Sequence, residues 1–213
     1  MTTSIIIPVY NQELYVGRAI RSALACKDHS DVNIIVVDDG STDGSFEIIS
    51  SFSDQIHFLQ NESNKGLPYS LNRAIRYSNS KYIFRLDSDD WLHCRTIDIL
   101  SFFLDNNNEI DAVASDYFLV DEKQNKLSHI SSKDQPIGCS ILFRSEHLIS
   151  IGLYDKEQRW HEEKELMARF RKKYNLYHIP LPLYRYFRHN SNMTLDKKQM
   201  NYYEKILESK HFQ

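Results

Sequence analysis

Three carboxylates crowd into four residues directly after an apolar run. The segment FRLDSDDW places Asp87, Asp89 and Asp90 immediately behind the run KYIFRL. Like charges repel, so a cluster of this kind indicates a cation that it faces. Asp87 and Asp89 are two residues apart, and in an extended chain such side chains project to one side. The pair can therefore share a divalent cation, and carboxylate oxygens suit Mg²⁺ or Mn²⁺, which take further ligands from substrate phosphates.

The same cluster has a structural interpretation. Aspartates at a helix N-terminus interact favourably with the helix dipole, and Ser88 or Asp90 would then cap the helix. This interpretation accounts for Asp90 but gives Asp87 no role, so the metal-binding and capping interpretations both stay open at this point.

Short apolar runs alternate with segments of helical spacing through the first half of the chain. This alternation predicts an α/β fold with a mostly parallel sheet and helices on both of its faces. The second half is less regular, with a polar segment at 121–136 that we expect to be an exposed loop. The predicted strands are SIIIPVY, NIIVVDDG, IHFL, KYIFRL, AVASDYFLV and SILF, the last one antiparallel. The predicted helices lie at 13–25, after Asp43 as N-cap, after Gly66, at 96–104, in HEEKELMARF and in the amphipathic C-terminal segment that carries Met200, Tyr203, Ile206 and Leu207.

Polar clusters follow the first, second and fourth predicted strands, as PVYN, DDGSTD and LDSDD. In open α/β sheets ligands bind at the carboxyl ends of the strands, so these clusters indicate one site. Asp38 and Asp39 are neighbours, and in an extended chain only one of them can face a ligand. The alternative for this pair is turn chemistry, since Asp-Gly-Ser forms turns readily. The glycine fingerprints of dinucleotide-binding folds and P-loops are absent from the sequence.

Composition excludes several classes of protein. A net charge of −3 excludes broad electrostatic binding to nucleic acid. Cys26, Cys94 and Cys139 are too widely spaced for a disulfide framework or a metal motif, which favours a reducing compartment. No apolar run approaches the roughly 20 residues of a membrane span, and the N-terminal run is too short for a signal peptide. We therefore expect a soluble cytoplasmic protein. Lysines on the C-terminal helix leave open a contact with the inner face of a membrane, and the apolar side of that helix leaves open a homodimer.

Seven motifs occur in an order and at a spacing similar to those of glycosyltransferase family 2, whose members are inverting enzymes of the GT-A fold. The resemblance covers roughly residues 3–195. It implies a single GT-A, Rossmann-like domain at 1–195, with a nucleotide-sugar half at 1–110 and an acceptor half at 111–195, followed by a helix at 196–213. The motifs are SIIIPVYN, VVDDGSTDGS, NKGLPYSLNRAI, LDSDDW, FRSEHLISIGLYD, HEEKELMARF and PLYRYFRHNSNMT.

The resemblance also implies roles for individual residues. Asp87-Ser88-Asp89 would be the DxD motif that binds Mn²⁺ or Mg²⁺ together with the diphosphate of the donor. Of the aspartate pair that contacts the nucleotide, Asp39 rather than Asp38 would meet a uracil base. The nucleotide pocket would further include Pro8, Tyr10, Asn11 and Lys65, while Arg188 would pair with phosphate oxygens and His189 would bind the metal or a phosphate.

The resemblance places the catalytic base at the start of a helix. The family usually carries Glu-Asp there, and this chain carries Glu162-Glu163. At 100° per residue, Glu163 lies within about 60° of the apolar Leu166, Met167 and Phe170, which predicts that it faces inward. Glu163 also matches the family aspartate, so we expect it to take the proton from the acceptor hydroxyl. Its extra methylene moves the carboxylate by about 1 Å, a displacement that can cost roughly 100-fold in rate.

Together these observations predict a metal-dependent inverting hexosyl- or N-acetylhexosaminyl-transferase. The donor would be a nucleotide sugar, most simply a UDP-sugar, and the acceptor a hydroxyl of a glycan or a lipid-linked glycan. One alternative is a protein on the same scaffold that binds nucleotide sugar or carbohydrate without catalysis, because the Glu-Glu pair departs from the family. Another is a Mg²⁺-dependent phosphohydrolase with an aspartate nucleophile in VVDDGST, which leaves LDSDD and HEEKEL without roles.

Overall fold

A computed structural model describes residues 2–133, 136–189 and 196–211. Its core is one nine-stranded mixed sheet with helices on both faces. The strands are β1 (Thr3–Val9), β2 (Val32–Asp38), β3 (His57–Gln60), β4 (Tyr82–Arg85), β5 (Trp91–Leu92), β6 (Ala112–Val120), β7 (Lys126–Ile130), β8 (Ile141–Arg144) and β9 (Leu176–Phe187). The helices are α1 (Val16–Leu24), α2 (Ser45–Ser50), α3 (Leu67–Tyr77), α4 (Thr96–Asp105), α5 (Ser145–Ser150), α6 (Glu162–Phe170) and α7 (Lys197–His211).

The strands follow the order β3-β2-β1-β4-β8-β6-β9-β5, and β7 pairs with β6 off this path. The first four sequence strands in this order, β3, β2, β1 and β4, are parallel. In their register Ile5 lies between Ile34 and Phe84. Strand β8 runs antiparallel between β4 and β6, as the sequence predicts for SILF. The carboxyl ends of β1, β2 and β4 therefore meet at one edge of the sheet.

Helices cover both faces because consecutive residues of the central strand are buried on opposite sides. Ile5 and Ile7 of β1 pack in the layer that contains α1 and α4, whereas Ile6 packs in the layer that contains α3 and α6. All three side chains are fully buried. This explains why the parallel strands are continuous apolar runs without polar alternation.

Two predicted boundaries are wrong. Helix α1 begins at Val16 rather than near residue 13. Helix α2 begins at Ser45, and its N-cap is Gly44 rather than the predicted Asp43. Asp43 precedes the N-cap by one residue, and its carboxylate accepts a hydrogen bond from the Ser45 backbone N–H at 3.0 Å.

The polar segment at 121–136, predicted to be a loop, contains strand β7. This strand forms an antiparallel hairpin with β6, in a register that pairs Phe118 with His129. The Lys126 ammonium lies 4.2 Å from the centre of the Phe118 ring. Cross-strand contacts of this kind stabilise the hairpin, although its sequence lacks the apolar alternation that predicts a strand.

Helix α7 packs against the domain through the face that the sequence predicts to be apolar. Leu207 is buried, and Tyr203 stacks on Trp160 with ring centres 5.2 Å apart. In the three described ranges, no helix has both the length and the apolar character that crossing a bilayer requires.

Candidate active site

A cavity of about 560 Å³ runs along the carboxyl edge of the sheet and reaches the start of α6. It brings together residues from all the polar clusters that the sequence singles out. The predicted residues that line it are Pro8, Tyr10, Asn11, Asp39, Asp87, Asp89 and Glu163. Among the other predicted residues, Asp38, Lys65, Arg188 and His189 lie outside this lining.

The aspartate pair after β2 separates as expected. Asp38 is fully buried, where its carboxylate accepts the Ser41 N–H at 3.0 Å and the Gln60 side-chain amide at 3.3 Å. It therefore organises the turn. Asp39 points to the cavity and is the member of the pair that can face a ligand.

Asp39 also holds the loop before α3. Its Oδ1 accepts hydrogen bonds from the Lys65 backbone N–H at 3.0 Å and the Asn61 amide at 2.6 Å, and its Oδ2 accepts the Gly66 N–H at 2.8 Å. The side chain of Lys65 is exposed, so the contact that the structure gives this residue is made by its backbone.

The turn between β2 and α2 depends on a glycine. Gly40 has a φ of +73°, and a Cβ at this position would lie 2.6 Å from the backbone of Ser63. Asn11, itself at a φ of 52°, accepts the Thr42 N–H at 2.8 Å and so joins the ends of β1 and β2. The rim of the cavity at the ends of β1 and β2 is thus built by backbone geometry that few residue types can adopt.

The acidic cluster forms a turn, which contradicts the geometric premise of the metal-binding interpretation of LDSDDW and the capping interpretation as a whole. The Asp90 N–H donates to the Asp87 carbonyl at 3.1 Å, so the premise of an extended chain is wrong. The capping interpretation is also wrong, because the next helix begins only at Thr96. Each carboxylate of the cluster has its own partner.

Asp87 faces an arginine that the sequence analysis did not single out. The Arg85 guanidinium donates to Asp87 through Nε at 2.5 Å and Nη2 at 3.1 Å, and to Glu162 through Nη1 at 2.8 Å. It therefore bridges the acidic cluster and the start of α6. The signal for this role was present, because Arg85 is a lone cation in an otherwise apolar strand that ends at the site.

Asp89 and His189 meet at the rim, with 2.8 Å between Oδ2 and Nε2. His189 is buried and stacks on Phe187, with ring centres 4.9 Å apart. The structure thus brings together two of the three predicted metal ligands, across 100 residues of sequence. Arg188 is exposed, and the remainder of its motif, 190–194, lies outside the described residues.

Asp90 has a structural role. It is buried, and it accepts hydrogen bonds from the Tyr184 hydroxyl and the Phe187 N–H, both at 2.7 Å. Burial, followed by repulsion from Asp89 and Asp87, raises the pKa of Asp90 well above its ordinary value. Asp90 therefore attaches β9 to the acidic turn.

The tightest cluster of ligand-type side chains in the described residues consists of Asp87, Asp90 and Cys139, with ligand atoms within 4.8 Å of one another. Both oxygens of Asp87 are bound to Arg85, and those of Asp90 have the partners given above. Burial raises the pKa of the Cys139 thiol well above its ordinary value, which disfavours the thiolate that a metal would need. The Asp89–His189 pair fits a divalent cation better than this trio does.

At the start of α6, the inward-facing glutamate is Glu162 and not Glu163. Glu162 is 6% exposed, and its row on the helix continues through the buried Leu166 and Phe170. The prediction that Glu163 faces inward is therefore wrong. Glu163 is half-buried on the neighbouring row and lies at the cavity wall.

The two glutamates differ in their electrostatics. Burial, followed by repulsion from Glu163, raises the pKa of Glu162 to about 7, although Arg85 acts in the opposite direction.

The preceding residue, His161, is the N-cap of α6 and has a left-handed backbone with a φ of 57°. Gly138 approaches α6 so closely that a Cβ there would lie 2.9 Å from Glu163 Cβ. This close approach fixes the position of Glu163.

A mostly parallel sheet with this acidic carboxyl edge is the GT-A glycosyltransferase fold. The chain belongs to glycosyltransferase family 2, whose model, "Glycosyl transferase family 2", matches residues 4–190.

Curated relatives support this assignment. An uncharacterized glycosyltransferase, RP339 of Rickettsia prowazekii, is 32% identical over 185 residues, which are 78% of this chain and 58% of the relative. The putative glycosyltransferase EpsE of Bacillus subtilis is 32% identical over 123 residues, covering 56% of this chain and 44% of the relative. The chain thus spans about half of the length of these two relatives.

Two solved structures share the fold. S. aureus TarS 1-349 in complex with UDP-GlcNAc has a TM-score of 0.79 at 18% identity, covering 98% of this chain and 66% of that one. The mannosyltransferase PcManGT from Pyrobaculum calidifontis, in complex with GDP-Man and Mn²⁺, has a TM-score of 0.78 at 13% identity, covering 98% and 63%. At these identities the likeness establishes the fold alone.

Proposed function

We propose that the protein is a metal-dependent inverting glycosyltransferase that moves a sugar from a UDP-sugar to a hydroxyl of a glycan or lipid-linked glycan. One observation carries this proposal. One cavity is lined by Asp39, by the acidic turn and by Glu163. A donor lying along this cavity would present its sugar to that carboxylate.

The uracil assignment rests on the remaining hydrogen-bonding capacity of Asp39. An ionised carboxylate has about four acceptor positions, and the protein occupies three of them. The remaining position suits one N–H donor, as on the edge of a uracil ring. Tyr10, which is 44% exposed at the cavity wall, offers a face on which the base can stack. The TarS complex with UDP-GlcNAc is consistent with a uridine donor on this fold.

Asp89 and His189 would hold the cation. A carboxylate paired with an imidazole favours Mn²⁺ over Mg²⁺, because Mg²⁺ takes oxygen ligands almost exclusively. When bound, the metal supplies positive charge that offsets the charge developing on the departing diphosphate. A cation at Asp87 would compete with Arg85, so we assign Asp87 mainly to holding this guanidinium at the donor site.

Glu163 would act as the general base. It would accept the proton of the acceptor hydroxyl while that oxygen attacks the anomeric carbon from the face opposite the nucleotide. Glu162, held by Arg85, is a positioning residue in this scheme, because its ion pair fixes the first turn of α6.

A thermal-shift panel of nucleotides and UDP-sugars, with and without Mn²⁺, tests the donor and the metal together. We expect uridine diphosphates to raise the Tm only with Mn²⁺, and Asp89→Asn to abolish this effect. Glu163→Gln should keep the Tm shift and reduce transfer by at least about 100-fold, the usual scale for a general base. Donor binding without turnover of any acceptor, unchanged in Glu163→Gln, would favour the non-catalytic alternative. Normal turnover by Glu163→Gln would refute its assignment as the base.

A further inference from the structure

A second cavity, of about 960 Å³, lies between α6 and α7. It shares Ile137, Gly138 and Glu163 with the first cavity, in which we place the donor, so the two cavities meet at the proposed base. Neither Asp39 nor the acidic turn reaches this second space. Its position on the far side of Glu163 is where an acceptor would have to enter.

Helix α6 and the turn that follows it line the cavity with two adjacent rows of side chains. In an α-helix, residues four apart lie on one face. The first row contains Glu163, Met167 and Arg171, and the second contains Lys164, Ala168 and Lys172. The first row therefore runs from the proposed base through Met167 to a cation, and the second runs from Lys164 through Ala168 to a cation.

The cations at the far end are available to a ligand. Lys164 forms an ion pair with Glu204 of α7 at 3.1 Å. Arg171 and Lys172 are exposed, and within the described residues neither has an ion-pair partner. The helix dipole accounts for basic residues near the end of α6, but it does not account for Lys205, which lines the opposite wall from the middle of α7.

We propose that this groove binds an anionic segment of the acceptor glycan, with Arg171 and Lys172 contacting a phosphate or carboxylate about 12 Å from Glu163, the rise of eight helical residues. The inference rests on the proposed function. Glu204 and Glu208 also line the cavity, and Glu204 pairs with Lys164, so the charge argument rests on Arg171 and Lys172 at the far end, since Arg and Lys recognise oxyanions. The negative charge of Glu163 at the opposite end disfavours the reversed orientation. The apolar middle, Met167 and Ala168, suits the hydrocarbon faces of sugar rings.

Calorimetric titration of the full chain, with and without UDP and Mn²⁺, tests this proposal. The probes are neutral maltohexaose, hexagalacturonate and a phosphodiester-linked hexasaccharide. We expect at least one anionic probe to bind about tenfold or more tightly than maltohexaose, and which one does so identifies the anion. The double variant Arg171→Glu/Lys172→Glu should remove this preference.

Lys173→Glu is the matched control, because Lys173 lies in the same turn, is exposed and does not line the cavity. It should keep the preference. Equal affinity for neutral and anionic probes, or an equal loss in Lys173→Glu, would overturn the groove assignment. Failure of UDP to bind would overturn the proposed donor, and a preference for anions measured without UDP would still support the groove.

Discussion

The sharpest prediction concerns Glu162, whose buried carboxylate should make the stability of the protein depend on pH. The pKa of Glu162 rises from its ordinary 4.5 to about 7 in the folded protein. At 1.36 kcal/mol for each pH unit, this interval corresponds to about 3 kcal/mol. Because the folded pKa lies above the unfolded one, the stabilisation is fully present below pH 4.5 and is lost as the pH rises through about 7.

Glu162→Gln removes this titration. The difference in unfolding free energy between Glu162→Gln and wild type should therefore change by about 3 kcal/mol in favour of the variant between pH 4.5 and pH 8.5. For a chain of this length, that change is about 6–12 °C in Tm. Any constant effect of the substitution, such as a weaker contact with Arg85, cancels in the comparison between the two pH values.

Urea denaturation across this pH range, in EDTA, measures the effect. Glu163→Gln provides a second test, because it removes the repulsion that contributes to the raised pKa of Glu162, and it should shrink the pH dependence without abolishing it. The exposed Glu157→Gln is the control and should follow wild type. A difference between Glu162→Gln and wild type that stays constant with pH would refute the argument from burial.

Three further predictions follow from single contacts. Gly138→Ala should leave UDP-dependent thermal shifts intact and reduce the initial rate of transfer by about 100-fold. The added Cβ would lie 2.9 Å from Glu163 Cβ and would displace the proposed base. Tyr184→Phe should cost about 1–3 kcal/mol in urea denaturation, because it leaves a buried oxygen of Asp90 without its donor. Gly40→Ala should lower both the Tm and the affinity for the donor, because the added Cβ would lie 2.6 Å from the backbone of Ser63. An unchanged Tm would contradict the argument that this substitution strains the backbone.

The fold was largely predictable because its information is local. Parallel strands buried on both faces are continuous apolar runs, and the helices between them carry one apolar face. Strand β7 was missed because it is stabilised by pairing with β6 and by a cation over Phe118, which are contacts between segments rather than patterns within one.

The separation of Asp38 from Asp39 at the end of β2 was predictable for a similar reason. Strand alternation alone separates Asp38 from Asp39, and β2 stays extended up to Asp38. The same argument failed at Asp87 and Asp89, because the chain leaves β4 at Arg85 and turns. Side chains alternate between the two faces only as far as the strand continues. Where no glycine or proline follows a strand, the sequence gives little indication of the residue at which the strand ends.

The start of α6 shows what an amphipathic pattern leaves undetermined. Leu166, Met167 and Phe170 define an apolar arc, and at 100° per residue Glu163 lies inside it whereas Glu162 lies about 40° beyond its edge, so the pattern alone favours burial of Glu163. A guanidinium 77 residues away reverses this preference, since Arg85 at the end of β4 takes Glu162 as its partner. With Glu162 held in this way, Glu163 is left at the wall that the two cavities share, which is the position that its proposed role as general base requires. The position of Glu163 also depends on Gly138, because a Cβ at residue 138 would lie 2.9 Å from Glu163 Cβ.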